Sequence, residues 1–255
     1  MSPPVAVVLR RQLSPRLALA AGVAVVVAVP VTVLGYAATH GWGPIGDLDN
    51  GVAEGLHRWA IQTPTAVTVL QFASDVLHPW ALRAYLGLVV VMLLLRGQVR
   101  LAWWAAITVL GGGVLDIILK EAVQRARPIL PEAVASAGGY SFPSGHALSI
   151  TVAVGVLLLL GFPLLQPGGR RVAVVVGAVL IALICFARVG LGVHYVSDVV
   201  AGVLIGVGWL AATSIAFESW RRSVGRAPHD PLTEGIDPAG TLAAARGDVT
   251  EAHTP

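Results

Sequence analysis

The chain has 255 residues, of which 56% are hydrophobic and only 12% are charged. A soluble domain carries roughly 45–50% apolar and about 25% charged residues, so this composition excludes an ordinary soluble domain and indicates a membrane protein. The formal charge of +3 suits contact with anionic lipid or phosphate. Because there is a single cysteine, the chain forms no intrachain disulfide.

The first part of the chain predicts one membrane span and one interfacial helix. Residues 1–16 are a basic arm, and the apolar residues 17–37 are long enough to cross a hydrocarbon core about 30 Å thick. A cleaved signal peptide is the alternative for this segment. Residues 47–61 predict an amphipathic helix lying in the interface. Its apolar side consists of Leu48, Val52, Leu56 and Trp59.

Five more apolar segments follow, which brings the number of predicted spans to six. The second span covers residues 65–95 and is interrupted at His78-Pro79. The others cover about 101–119, 144–162, 172–188 and 198–217. We therefore predict an all-α, polytopic membrane protein, with six transmembrane helices forming a bundle over residues 17–217 and a motif-bearing core at 100–217. Residues 218–255 contain four prolines and mixed charges, and they predict a disordered tail.

The distribution of basic residues predicts the orientation. With the N-terminus in the cytoplasm, six crossings place 11 of the 17 basic residues and both termini on the cytoplasmic side. This bias follows the positive-inside rule and suits a multi-pass protein of the cell membrane. Three of the six exceptions are Lys120, Arg127 and Arg188. A cation placed against this preference needs a reason, and binding an anion is one.

Three polar clusters fall at predicted helix ends on the same, extracytoplasmic side. They are Lys120 with Arg127-Pro128, then Pro143-Ser144-Gly145-His146, then Arg188 with His194 and Asp198. Lys120 and Arg127 are seven residues apart, about two turns, and would share a face if the helix continued. In the second cluster, Ser144 can cap the helix and Gly145 lets a ligand approach the backbone, at a helix end that attracts anions.

These residue types suit phosphoryl transfer, which needs positioning and stabilisation of charge on the equatorial oxygens. The three cations and the amides of residues 144–146 supply that stabilisation. Asp198 is four residues after His194, so its carboxylate can fix the tautomer of that imidazole. We therefore assign His194 as the nucleophile that forms a phosphohistidine, and His146 as the general acid and base.

The pattern Lys120-x6-Arg127-Pro128, Pro143-Ser144-Gly145-His146 and Arg188-x5-His194-x3-Asp198 resembles the three signature motifs of the type-2 phosphatidic acid phosphatase superfamily. The resemblance covers about residues 65–217. It implies a helical bundle that hydrolyses lipid phosphates or diphosphates without a metal or other cofactor. It also implies that Lys120, Arg127, Arg188, Ser144 and Gly145 bind phosphate, while His194, His146 and Asp198 are catalytic. One departure is Ala187, where the family usually has serine.

The expected partners are the bilayer and a lipid phosphate, with no nucleic acid, and the oligomeric state is left open. Candidate substrates are a polyprenyl diphosphate such as undecaprenyl diphosphate, phosphatidic acid and phosphatidylglycerol phosphate. Alternatives are a transferase of the same fold and a non-catalytic protein that binds or transports anionic lipid. Any contribution of Asp75, His78 or Asp116 is left open, and Arg125 is expected to face solvent or to pair with Glu121 four residues earlier.

Overall fold

The computed structural model describes residues 22, 25–40, 42–132, 134–226 and 230–247, and within them every regular element is helical. The predicted arm at 1–16 lies outside these residues. The helices are α1 (Val25–Thr39), α2 (Gly43–Ile61), α3 (Pro64–Val76), α4 (Pro79–Leu95), α5 (Val99–Val123), α6 (Gly145–Gly161), α7 (Pro167–Gly190), α8 (Val196–Ser223), α9 (Pro231–Glu234) and α10 (Pro238–Arg246).

The predicted all-α, polytopic membrane fold is confirmed. Among the described residues, α5, α7, α8 and the segment Gly145–Leu164, which contains α6, are each long and apolar enough to cross a membrane. Two bent pairs bring the number to six if each pair is one span. The pair α3 and α4 bends by 41° at the predicted break, and α1 and α2 meet at 78°.

Helix α6 forms the centre of the bundle. It packs against α4, α5, α7 and α8, and most of its residues are buried. The start of α6 is tied to the start of α8, because the Ser144 N–H donates to the Asp198 carbonyl at 3.0 Å. Since α5 and α7 end where α6 and α8 begin, the four helix termini meet at one end of the bundle.

The prediction of a disordered tail from residue 218 is wrong for the described part of that segment. Helix α8 continues to Ser223, and the chain then folds back so that Ile236 is fully buried. The Ile236 N–H donates to the Leu159 carbonyl at 3.0 Å, and Arg221 pairs with Asp237 at 2.9 Å. The few apolar residues of the tail concealed this because polar contacts do much of the holding, among them the Asp237 ion pairs and the bond from Arg96 to the Ala244 carbonyl.

Helix α2 forms where an amphipathic helix was predicted, but it buries a different side. The buried residues are Asp49, Ala53, His57 and Ala60, whereas Leu48 and Trp59, from the predicted apolar side, are exposed. Lipid tails are as apolar as leucine side chains, so an apolar helix face in a membrane gains no hydrophobic free energy by packing inside the protein. Polar groups that need partners are the ones that turn inward.

Candidate active site

A cavity of about 510 Å³ opens at the end of the bundle where the four termini meet. It brings together six of the eight predicted site residues, which are Lys120, Arg127, Gly145, His146, Arg188 and His194. The other two lie behind the wall. Ser144 is fully buried and caps α6 by accepting a hydrogen bond from the Ala147 N–H, and Asp198 is fully buried beneath His194.

Lys120 and Arg127 reach the cavity from different elements and do not share a helical face. Helix α5 ends at Val123, and Gln124 is in the left-handed conformation with φ of 52°, which turns the chain out of the helix. The Arg127 guanidinium then donates to four backbone carbonyls at 2.7–3.1 Å. These carbonyls belong to Gly138, Gly139, Tyr140 and Val193. Arg127 therefore fastens the loop before α6 to the turn before α8.

Lys120 is held by Asp116, one turn earlier on α5. Its Nζ lies 2.7 Å from both carboxylate oxygens of Asp116. A Cβ atom at Gly145 would lie 2.6 Å from the Asp116 carboxylate and 2.9 Å from the Lys120 Nζ. Only glycine therefore leaves room for this pair against the first turn of α6, and Asp116 orients the Lys120 ammonium toward the cavity.

The hydrogen bonds around His194 define its tautomer. The Arg127 guanidinium lies 3.1 Å from Nε2, and because a guanidinium only donates, Nε2 must carry a lone pair. The proton is then on Nδ1, which donates to Asp198 at 3.3 Å. Burial lowers the pKa of His194 from 6.5 to about 4, despite the hydrogen bond to Asp198, which raises it. His194 is thus a neutral imidazole at neutral pH, with the lone pair on the nitrogen nearest Arg127.

Asp198 is the centre of a buried polar network that the sequence did not indicate. One carboxylate oxygen accepts from the Ser141 hydroxyl and from the Tyr195 N–H, and the other accepts from Arg125 at 2.6 Å. Arg125 is 8% exposed and also pairs with Asp49 of α2 at 2.8 Å. The prediction that Arg125 faces solvent or pairs with Glu121 is therefore wrong.

His146 and Arg188 each present a polar atom that is not yet satisfied. The Nε2 of His146 and the Nε of Arg188 are buried and have no hydrogen-bond partner among the described residues. The ring of His146 lies edge-on to that of His78, with centroids 5.0 Å apart. Asp75 and His78 also line the cavity. The wall therefore offers donors and acceptors to a bound polar group.

No group of three or more His, Cys, Asp or Glu side chains in the described part of the chain is arranged to hold a metal ion. The charged groups that line the cavity are four cations and two carboxylates. They are Arg83, Lys120, Arg127, Arg188, Asp75 and Asp116. Burial lowers the pKa of Arg127, opposed by the nearby carboxylates Asp198 and Asp116. The net positive lining suits an anionic ligand.

Comparison with known proteins agrees with this fold. Residues 101–222 match the model of the PAP2 superfamily. The fold is similar to the crystal structure of a transmembrane PAP2-type phosphatidylglycerolphosphate phosphatase from Bacillus subtilis, with a TM-score of 0.62 and 21% identity over 79% of this chain and 97% of that one. No curated protein sequence matches the chain. With its three motifs at one end of a helical membrane bundle, residues 101–222 of this chain belong to the PAP2 superfamily.

Proposed function

We propose that this protein is an integral membrane phosphatase that hydrolyses a lipid phosphate or diphosphate through a phosphohistidine. The observation that carries the proposal is the position of His194, whose Nδ1 faces Asp198 and whose Nε2 faces Arg127 at a cavity lined by Lys120, Arg127 and Arg188. Binding an anion requires cations, but it does not require an imidazole that is oriented by a buried carboxylate. The similarity to a phosphatidylglycerolphosphate phosphatase fold supports a lipid substrate.

In the proposed first step, His194 Nε2 attacks phosphorus and the bond to the ester oxygen breaks. Lys120, Arg127 and Arg188 stabilise the charge on the equatorial oxygens, together with the Gly145 amide at the start of α6. His146 enters this step as the imidazolium and gives one proton to the leaving oxygen, which leaves it neutral. The His194 ring becomes positively charged in this step. Asp198 stabilises that charge by accepting the hydrogen bond from Nδ1.

In the proposed second step, His146 removes a proton from water, and the resulting hydroxide attacks the phosphohistidine. The bond between phosphorus and Nε2 breaks, so His194 returns to its neutral form and inorganic phosphate leaves. Only His146 needs to exchange a proton, since His194 keeps its Nδ1 proton, and the carboxylate of Asp198 keeps its charge throughout. The mechanism needs no metal, which an assay in EDTA tests.

The orientation follows from the arginine distribution and belongs to the same proposal. We place the arm at 1–16 and the tail from 218 in the cytoplasm, and the domain at 17–217 in the cell membrane with its cavity on the extracytoplasmic side. Polyprenyl diphosphate, phosphatidic acid and phosphatidylglycerol phosphate all present their head groups at such a surface. The lipid tail would then enter sideways from the bilayer.

The test is phosphate release by detergent-purified protein in EDTA. The panel consists of undecaprenyl diphosphate, phosphatidic acid, phosphatidylglycerol phosphate and a soluble sugar phosphate. We expect turnover of at least one lipid. Transfer to an added alcohol without release to water would make the protein a transferase, and binding without either reaction would leave a lipid-binding protein.

The low pKa of His194 predicts how activity depends on pH. The nucleophile is neutral above about pH 4, so kcat/KM is expected to fall only as the pH drops through about 4, rather than through 6.5. Substrate phosphate ionises near pH 6, so the profile is measured with an alkyl and an aryl phosphate whose ionisations differ. An acid limb of the kcat/KM profile that falls at the same pH with both substrates reports an ionisation of the enzyme. Such a limb at about pH 6.5 would contradict the prediction.

A further inference from the structure

Arg83, on α4, lines the cavity but belongs to none of the three motifs. It is partly buried, and its Cζ lies 4.8 Å from the centre of the Trp80 ring. No carboxylate lies within 4 Å of its guanidinium in the described ranges, although Asp75 and Asp116 line the same cavity. A cation within a membrane-spanning segment that lacks a protein counter-ion is a functional-site hypothesis by default.

Arg83 lies deeper in the bundle than the Lys120–Asp116 pair. A Cβ atom at Gly113 would lie 2.6 Å from an Nη atom of Arg83, so the guanidinium is seated against α5 at Gly113. Gly113 precedes Asp116, the partner of Lys120, by three residues, which is about 4.5 Å along the helix and away from the open end. Beyond Arg83 lies a small hollow lined mostly by apolar side chains. These are Leu82, Leu86, Val109, Leu148 and Val152.

Resting on the proposed function, we infer that Arg83 binds a second phosphoryl group of the substrate. The phosphoryl group that reacts lies at His194, and the second lies deeper in the same cavity, at Arg83. A diphosphate and the phosphodiester of phosphatidylglycerol phosphate both supply this chemistry. Phosphatidic acid does not. Arg83 therefore selects lipids with two phosphoryl groups.

The test compares Arg83→Gln with wild type on two matched pairs. One pair is a prenyl diphosphate and a prenyl monophosphate of equal chain length, and the other is phosphatidylglycerol phosphate and phosphatidic acid with equal acyl chains. We expect kcat/KM to fall about tenfold or more on one doubly phosphorylated member, and less than about threefold on its monophosphate. The pair that responds identifies the source of the second group. Equal losses within both pairs, or no loss, would overturn the inference.

Two variants and one binding measurement complete the experiment. Gly113→Ala keeps the charge but displaces the guanidinium, so it should show the same selectivity. Arg100→Gln is the control, because Arg100 stacks on Trp220 at 5.0 Å in a similar way but lies outside this cavity. A prenyl methylenediphosphonate should stabilise wild type against heat more than Arg83→Gln. If the wild-type protein hydrolyses none of these lipids, the proposed function fails. The difference in thermal stabilisation between wild type and Arg83→Gln then still shows whether Arg83 binds the diphosphonate.

A second observation carries a separate inference about α2. The Asp49 carboxylate accepts from Arg125 at 2.8 Å, from the Ser197 N–H at 2.9 Å and from the Ser197 hydroxyl. Arg125 in turn donates to Asp198 and lies 4.0 Å from the centre of the Tyr195 ring. Asp49 precedes the region matched by the family model. It nevertheless holds the first turn of α8, from which Asp198 projects.

We infer that Asp49 and Arg125 are positioning residues that hold Asp198 against His194. Arg125 lies between two buried carboxylates, and its positive charge neutralises one of their two negative charges. Its planar guanidinium can donate to both at once, which a lysine ammonium cannot do. Because the pair acts through Asp198, its loss should slow the reaction and leave substrate binding nearly intact. Removing the Arg125 charge should also raise the pKa of His194, since Arg125 then no longer offsets the charge of Asp198, although Arg127 and Arg188 still oppose it.

The variants Arg125→Lys, Arg125→Gln and Asp49→Asn separate these effects. We expect kcat to fall at least about tenfold in all three while KM changes less than about threefold. The acid limb of kcat/KM should move to higher pH in Arg125→Gln but stay in place in Arg125→Lys. Asp47→Asn, on the exposed side of α2, is the control. Unchanged kcat, or losses that follow thermal stability alone without the shift in the limb, would overturn the inference.

Discussion

His194→Ala is expected to reduce phosphate release by at least about 10⁴-fold, the scale on which loss of a covalent nucleophile acts. The substitution removes the nitrogen that attacks phosphorus and leaves the three cations of the cavity in place. Substrate binding should therefore persist while turnover stops. The measurement is the single-turnover rate in EDTA, together with binding of a non-hydrolysable lipid phosphonate.

A phosphoenzyme makes this test specific. Wild type quenched during turnover of a radiolabelled substrate should carry label that is stable to base and lost in acid, as expected of a phosphohistidine, and His194→Ala should carry none. His57→Ala is the control for burial, because His57 is 3% exposed but bonds to the Pro131 carbonyl outside this cavity. Label that persists in His194→Ala would assign the nucleophile to another residue, with His146 the first to examine.

The parts of the site that could be predicted are those that depend on spacing along the chain. Helix ends follow from the length of apolar segments, and six alternating spans place Lys120, His146 and Arg188 at one end of the bundle. The pairing of His194 with Asp198 follows from a separation of four residues. Each inference uses only local geometry, and the cavity brings together Lys120, His146, Arg188 and His194, with Asp198 buried beneath His194.

Arg125 could not be placed because its partners are far away in the sequence. A local rule favours Glu121, four residues earlier on a helix. That rule fails because α5 ends at Val123, and the turn at Gln124 sends Arg125 into the bundle. There it meets Asp49 and Asp198, 76 and 73 residues away. Two buried carboxylates then outweigh one solvated partner, because a buried charge must be paired.

The site thus depends on more of the chain than its motifs. The motifs supply the proposed reacting groups and the cations that surround them, but Asp49 of α2 and Arg125 of the loop contact the network of Asp198, the carboxylate that pairs with the proposed nucleophile. Arg83 of α4 adds a fourth cation to the lining of the cavity. Helices that precede the matched region therefore contribute both contacts to the Asp198 network and charge to the cavity.

Asp198→Asn is expected to lower kcat about 10³- to 10⁴-fold by inverting the tautomer of His194, as an aspartate-to-asparagine change does in a serine-protease triad. The Asp198 oxygens accept from His194, Ser141, Tyr195 and Arg125. An asparagine has one acceptor oxygen. If that oxygen faces Arg125, its amide group donates to Nδ1, and the proton of His194 moves to Nε2.

With Nε2 protonated, the nucleophile has no lone pair and its N–H opposes the Arg127 guanidinium. The variant should therefore bind the lipid phosphonate with nearly wild-type affinity but form phosphoenzyme too slowly to accumulate. Asp116→Asn provides the contrast, because it loosens Lys120 and should raise KM as well as lower kcat. A loss of binding in Asp198→Asn equal to its loss of kcat would show that Asp198 maintains the cavity rather than the tautomer. Retention of kcat within about threefold would remove it from the mechanism.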